Sequence, residues 1–274
     1  MTTAWDRAAH GYAAEWMPRF VPYHHDLVEE AAVHEGQKVL VTTAGPGAEA
    51  VAFARVVGDK GSVRATDTSK EMIELCRARA EKAGFANVTS VVADALDVSD
   101  GPYDLIVSAF GLWQLEDRIA ALRAWKDGLA PRGKVAVVTW GPADEDDPFE
   151  RMSRILKELE PDYTPPSLRE LTKRDSMEEM FTEAGLAMVR HTIIGHTMSF
   201  PSADAFVAAL RESSSWRPIF EELGEARFAK LGIRFCSDMG GPEQPLGWDP
   251  LATLAIAGLP GDEIELYHRP SVRA

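Results

Sequence analysis

The chain has 274 residues, 45% hydrophobic and 26% charged, ordinary proportions for a globular protein with a sizeable core. Its 29 basic against 43 acidic side chains give a formal charge of −14 with no basic block, which disfavours nucleic acid as a partner. The start "MTTAWDRAAHGYAAEW" lacks the basic, apolar layout of a signal peptide, and no run reaches the roughly 18 apolar residues of a membrane span, so no membrane partner and a cytoplasmic location are expected.

In chain order, residues 1–35 read as mainly helical. Apolar positions recur at helical spacing over 4–16 and again in "HHDLVEEAAVHEG", which Gly36 terminates. From 38 onward short apolar runs alternate with amphipathic stretches. "KVLVTT", "SVRAT", "VTSVVA", "YDLIVSAF" and "KVAVVTW" read as strands, with "AEAVAFARVVG", "SKEMIELCRARAEKAG" and "EDRIAALRAWKDGLA" as helices between them. That alternation predicts parallel strands joined by right-handed crossovers. "APRGK" at 130–134 reads as a tight turn. Cys76 falls in a helical pattern, far from Cys236, and reads as a buried thiol rather than half of a disulfide.

After 141 the texture changes. "GPADEDDP" is a polar loop, 149–160 an amphipathic helix that "PDYTPPS" ends, and "SMEEMFTEAG" another helix. "LAMVRHTIIGHTMSF" reads as one long strand, "SADAFVAALRES" and "RPIFEELGEARFAKLGIRFCSDM" as helices, "GGPEQPLGWDP" as a loop and "LATLAIAGLP" as a final strand. The expectation is a Rossmann-like, doubly wound α/β fold. Its seven-stranded sheet is mostly parallel with an antiparallel C-terminal strand, and a helical lid covers it. Residues 1–35 would form an N-terminal lid and 36–140 the cofactor-binding core. Residues 141–274 would supply lid and substrate helices and the last two strands.

In such a sheet a ligand lies beyond the carboxyl ends of the strands. The first strand runs into "TAGPGAE", where Gly45 and Gly47 allow close backbone approach and a helix N-terminus follows. Asp67 ends the second strand, placed to accept hydrogen bonds from ribose hydroxyls, although an acid in "DTSKEM" also suits a helix N-cap. Asp94 ends the third, placed to accept from an exocyclic amine or to be one more loop acid. A glycine turn, an acid and an acid at three successive strand ends is far more specific than any one of them.

"VLVTTAGPG", "VRATDTSKEMIELCRARA", "VVADALDV" and "YDLIVSAFGLWQLEDRIAALRAWKDGLAPRGKVAVVTWG" resemble, in order and spacing, the class I S-adenosylmethionine-dependent methyltransferases of the small-molecule, ubiquinone/menaquinone-biosynthesis type. The resemblance implies S-adenosyl-L-methionine as cofactor. Adenosine would lie at Asp67 and Asp94, with Thr68, Met72 and Ala95 beside them. The methionine end would lie over Thr43, Ala44, Gly45 and Gly47, and the segment Ser108–Gly111, Phe110 included, would back the sulfonium. Two positions depart from the pattern. Val41 stands where the family has an acid that helps fix the loop and the ammonium, and Thr43 stands where it has the first glycine. The hydroxyls of Thr42 and Thr43 could replace part of that acceptor capacity without its charge.

Methyl transfer is an in-line displacement governed by positioning, with a base needed only if the nucleophile must shed a proton. Tyr12, His24 and His25 are the catalytic candidates, the first as a closing side chain and the histidines as general bases, though a surface pair beside a turn has the same sequence. Trp16, Trp113, Trp140 and Trp216 are candidates for the substrate pocket, with core packing an equally simple account. "SAFG" after the fourth strand is not the Asn/Asp-Pro-Pro-aromatic motif of amino-directed nucleic-acid methyltransferases. The acids at 143–147 read as a solvated loop rather than a metal site, since a catechol-type site would need an acid at Ser108–Ala109. A nicotinamide site is disfavoured because GxGxxG is absent. The reading is methyl transfer to a small hydrophobic metabolite, in a chain compatible with a homodimer. The alternatives are a cofactor-binding fold that catalyses cyclisation or rearrangement, and a silent partner subunit.

Overall fold

In the computed structural model the described residues are 4–144, 146–162, 169–213 and 215–266. Two helices, α1 (Ala4–Glu15) and α2 (Met17–Glu30), precede the sheet. The alternating region gives β1 (Lys38–Thr42), α3 (Ala48–Val57), β2 (Ser62–Asp67), α4 (Lys70–Ala83), β3 (Val88–Val92) and β4 (Tyr103–Ala109). It continues with a short 3₁₀ turn at Leu112–Gln114, α5 (Arg118–Asp127) and β5 (Leu129–Trp140). Then come α6 (Pro148–Leu159), α7 (Arg169–Thr172), α8 (Arg174–Glu183), β6 (Ala187–Gly195), β7 (Met198–Phe200) and α9 (Ala203–Leu210). The chain closes with α10 (Arg217–Leu223), α11 (Glu225–Asp238), β8 (Leu246–Trp248) and β9 (Leu251–Gly258).

The main sheet has seven strands in the order β3-β2-β1-β4-β5-β9-β6. The pairs among β1–β5 are parallel, and β9 runs antiparallel between β5 and β6. The fold is therefore the Rossmann-like seven-stranded α/β class. Burial alternates along the strands. Val39, Val41, Leu105, Val107, Ala136 and Val138 face one core layer, while Leu40, Ile106, Val135 and Val137 face the other. Val41 is fully buried among apolar neighbours, so the strand takes a valine at this position without an unpaired charge.

Sequence signals and structure part in four places. The long strand expected over 186–200 breaks after Gly195, and its end, β7, pairs with β8 in a separate two-stranded sheet. β8 lies inside the stretch expected to be loop. Its three residues are too few to show an alternation, and pairing with β7 rather than local propensity makes it a strand. The last long helix is two, because Gly224 adopts φ 74, ψ 164 and ends α10 before α11 begins. Within the stretch expected as a turn, Arg132 adopts φ 62 and the β4–β5 register shifts, so the turn is a bulge at the start of β5. Of the acids at 143–147, Glu145 lies outside the described residues. Asp147 caps α6, its Oδ1 accepting from the N–H of Phe149 at 2.7 Å while Oδ2 accepts from Trp248 Nε1 at 3.1 Å. Among the described residues no helix is long and apolar enough to cross a membrane.

Candidate functional site

The strand order reverses between β1 and β4, and a crevice there is where this topology places ligands. Thr42 and Ser108 are cross-strand neighbours at that point. A cavity opens just beyond them. Its floor is Thr43, Ala44, Gly45 and Pro46 from the β1–α3 turn; Asp67 and Thr68 follow β2, and Asp94 and Ala95 follow β3. Phe110 and Gly111 come from the β4 end, and Tyr12 and His24 descend from α1 and α2. The first three parallel strands thus contribute to one hollow because each ends on the same edge of the sheet.

The turn is built by backbone geometry. Gly45 has φ 50, and a Cβ there would stand in open space, so the missing side chain leaves room on the cavity floor. Gly47 has φ 79 and caps α3; a Cβ on it would lie 2.4 Å from Cys76 Sγ, so this glycine serves helix packing and does not line the cavity. Thr43 itself adopts φ 52, a left-handed conformation that a β-branched residue takes at a cost. Its hydroxyl compensates by bonding to Ser108 Oγ at 2.9 Å and to the Thr42 carbonyl at 2.5 Å. The same oxygen sits 2.0 Å from where a Cβ on Gly111 would be, so Thr43 fits only because residue 111 lacks a side chain.

Asp67 braces the turn. Its Oδ2 accepts from the Gly45 N–H at 3.0 Å and its Oδ1 from the Ser69 N–H at 2.8 Å. Burial pushes its pKa up, against the two N–H groups that hold it down. Ser69, not Asp67, caps α4, its Oγ accepting from the Met72 N–H at 3.2 Å, which leaves Asp67 facing the cavity. Met72 is buried under the turn and does not line the cavity. Asp94 is exposed, one oxygen accepting from the Leu96 N–H at 2.9 Å.

The remaining side chains singled out from the sequence separate clearly. Tyr12 lies edge-on to Trp5 at 5.4 Å, with its pKa raised by burial and by the carboxylates of Glu49 and Asp67. His24 is buried and pushed down to about 3, first by burial and then by the charge of His25, so its imidazole is neutral at physiological pH. His25 is on the exposed side of α2, away from the cavity. Trp16 is buried with its indole N–H donating to the Ala209 carbonyl at 2.8 Å, and Trp216 is buried in the same apolar layer. Trp140 stacks obliquely on Phe110 at 4.8 Å, behind the cavity wall. Trp113 packs against the opposite layer. Ser108 reaches the site only through Thr43.

Other lining residues were not singled out by sequence. Trp5, Met17, Gln114 and Leu115 add to the walls, and Glu49 enters from the first turn of α3. Glu49 is 4% exposed and pushed up to about 8 by burial, with Asp67 adding to the shift. An acid two residues into a helix reads in sequence as a dipole charge, which conceals that this one points inward. No lysine or arginine lines the cavity.

Residues 22–145 match the model of the ubiE/COQ5 methyltransferase family. That stretch, just under half of the chain, is similar to class I S-adenosylmethionine-dependent methyltransferases. The ubiquinone/menaquinone biosynthesis C-methyltransferase UbiE of Shewanella sp. (strain W3-18-1) is 29% identical over 181 residues, covering 60% of this chain and 72% of the relative. A SAM-dependent methyltransferase from Aquifex aeolicus superposes with a TM-score of 0.54 at 21% identity, over 68% of this chain and 91% of that one. The [4+2]-cyclase SpnF superposes with a TM-score of 0.58 at 15% identity, over 90% and 83%. At such identities the two structures speak for the fold alone. The cavity fits the cofactor of those methyltransferases, S-adenosylmethionine: an open floor at Gly45, carboxylates at two strand ends and walls without lysine or arginine suit a nucleoside carrying cationic groups.

Proposed function

We propose that the protein transfers a methyl group to a small, apolar metabolite beneath a lid formed by α1 and α2 together with the helices that follow β5. The observation that carries this reading is the convergence of Gly45, Asp67 and Asp94 on one cavity at the switch point of the sheet. Asp67 and Thr68 are suited to the ribose hydroxyls, Asp94 and Ala95 to the adenine edge, and Thr43 to Gly45 to the amino-acid end. S-adenosylmethionine, when bound, supplies an electrophilic methyl on a sulfonium. The chain's part is to orient the acceptor along that bond and to exclude water, which Trp5, Tyr12, Met17, Phe110 and Leu115 do as apolar walls.

Neither Tyr12 nor His24 is a strong base. Burial holds the Tyr12 phenol protonated and keeps His24 neutral but weakly basic. The acceptor that suits this site is therefore nucleophilic before it arrives, such as an electron-rich ring carbon or an already ionised enol or phenol. Calorimetric titration with S-adenosylmethionine and S-adenosylhomocysteine tests the site: micromolar binding that weakens strongly in Asp67→Ala is expected, and no binding would overturn it. A metabolite extract incubated with labelled cofactor should then yield a product heavier by one methylene unit. Binding without any methylated product would favour a second reading, a rearrangement or cyclisation on the same fold, for which the Thr43 departure is the supporting observation.

A further inference from the structure

The cavity holds one acidic side chain for which neither β2 nor β3 accounts. Glu49 enters from α3, beyond the Thr43–Gly47 turn, and is nine-tenths buried. Its neighbour within 4 Å is His24, with Nδ1 at 3.9 Å from Oε2, too far for a hydrogen bond, and that Nδ1 is itself buried without a hydrogen-bond partner in the described structure. The nearest guanidinium bearing on it, Arg79, is committed behind the turn, donating from Nε to the Pro46 carbonyl at 2.8 Å. Asp67 spends one lone pair on each of Gly45 and Ser69, whereas Glu49 is left with acceptor capacity facing the cavity. A carboxylate buried in this way is costly unless a cation or a strong donor joins it.

We propose that Glu49, with His24 beside it, receives the α-ammonium of the cofactor's amino-acid end and so takes over the charge that Val41 cannot supply. The proposal rests on the reading of this cavity as the cofactor site. The geometry gives it three supports: Glu49 borders the turn that would carry the amino-acid end, no lysine or arginine lines the cavity to compete for it, and the His24 Nδ1 beside it is buried without a hydrogen-bond partner among the described residues. Burial, which holds the Glu49 proton up to about 8, is the state expected of a carboxyl that waits for a cation.

The test compares S-adenosylhomocysteine, its desamino analogue and 5′-methylthioadenosine, which keeps the adenosine and thioether but lacks the amino-acid end. The wild type should prefer S-adenosylhomocysteine to the desamino analogue by about tenfold or more, the scale of a hydrogen bond to a charged group. Glu49→Gln should abolish that preference while leaving 5′-methylthioadenosine affinity unchanged, and Glu49→Asp should recover part of it. Asp67→Ala should weaken all three ligands. Equal weakening of all three by Glu49→Gln would show a purely structural role and overturn the proposal, as would no effect at all. If Glu49→Gln does not fold, the wild-type comparison decides alone, and equal affinity for the amino and desamino forms overturns it. Failure of the wild type to bind any of the three overturns the cofactor site itself, and the proposal with it.

Discussion

Thr43 and Gly111 are one structural unit although they lie in different loops. The threonine hydroxyl occupies the space that a side chain at 111 would need, at 2.0 Å from its Cβ position. Gly111→Ala alone should therefore lower the melting temperature markedly, and adding Thr43→Gly should recover most of the loss; a thermal double-mutant cycle measures this, and additive losses would contradict it. His24 and Glu49 give opposing pH signatures. His24 stays neutral in the fold down to about 3 but takes a proton near 6.5 when unfolded, so stability rises with pH across that interval and is lost as acid is added. Glu49 keeps its proton to about 8 in the fold and loses it near 4.5 when unfolded, so its contribution declines as pH rises through that range. The titratable groups that act on this pair are Tyr12 on α1, Asp67 at the end of β2, Cys76 and Arg79 on α4, and, from the outer side of α2, His25. Denaturation as a function of pH should show a flatter acid limb in His24→Gln and a flatter neutral-to-alkaline limb in Glu49→Gln.

Helix α1 packs through Ala8, Ala9 and Tyr12 and adds polar contacts around the cavity rim. The Ser69 hydroxyl donates to Asp6 at 2.6 Å, the Trp5 indole to Gln114 at 2.8 Å, and Arg7 pairs with Glu221 at 2.9 Å. The exposed Arg7–Glu221 pair contributes little to global stability, whereas the Ser69–Asp6 bond is partly buried. Arg7→Ala should therefore change the melting temperature only slightly while speeding cofactor dissociation, measurable by stopped-flow fluorescence of Trp5 and its neighbours. Unchanged release would argue against α1 as a cover. In contrast, the indole N–H of Trp125 on α5 donates to the Ala95 carbonyl at 2.6 Å inside the core. Trp125→Phe should cost about 1–3 kcal/mol, because the Ala95 carbonyl is left buried and unpaired; chemical denaturation reads this directly. The alternation of α3, α4 and α5 with their strands was legible in the sequence because each element is long enough to show its period and ends on a recognisable signal, such as Ser69 or Gly84. β7 and β8 were not legible, since three residues carry no period and pairing alone defines them. The floor, the two strand-end acids and the Ser108–Gly111 segment were read from position alone, whereas Glu49 and the fit of Thr43 against Gly111 depend on which way a helix and a loop turn, and local sequence does not encode that.

At the scale of the molecule, the charge of −14 and the cavity walls have the same sign of consequence. Both favour ligands that are neutral or cationic near the reacting end, and methylated acceptors should be found among small apolar compounds rather than polyanions; a screen in which nucleotides or RNA proved the better acceptors would contradict this. The arrangement of the sheet has a further effect, on how the protein is made. β9 is inserted between β5 and β6, although β6 leaves the ribosome some sixty residues earlier by its position in the chain. Until Leu251–Gly258 emerges, β5 presents an open, apolar edge and β6 has no strand to join. The nascent chain is thus obliged to hold a complete nucleotide-binding half beside an unfinished one, and it is exposed to mispairing for the whole time that α9, α10 and α11 are being synthesised.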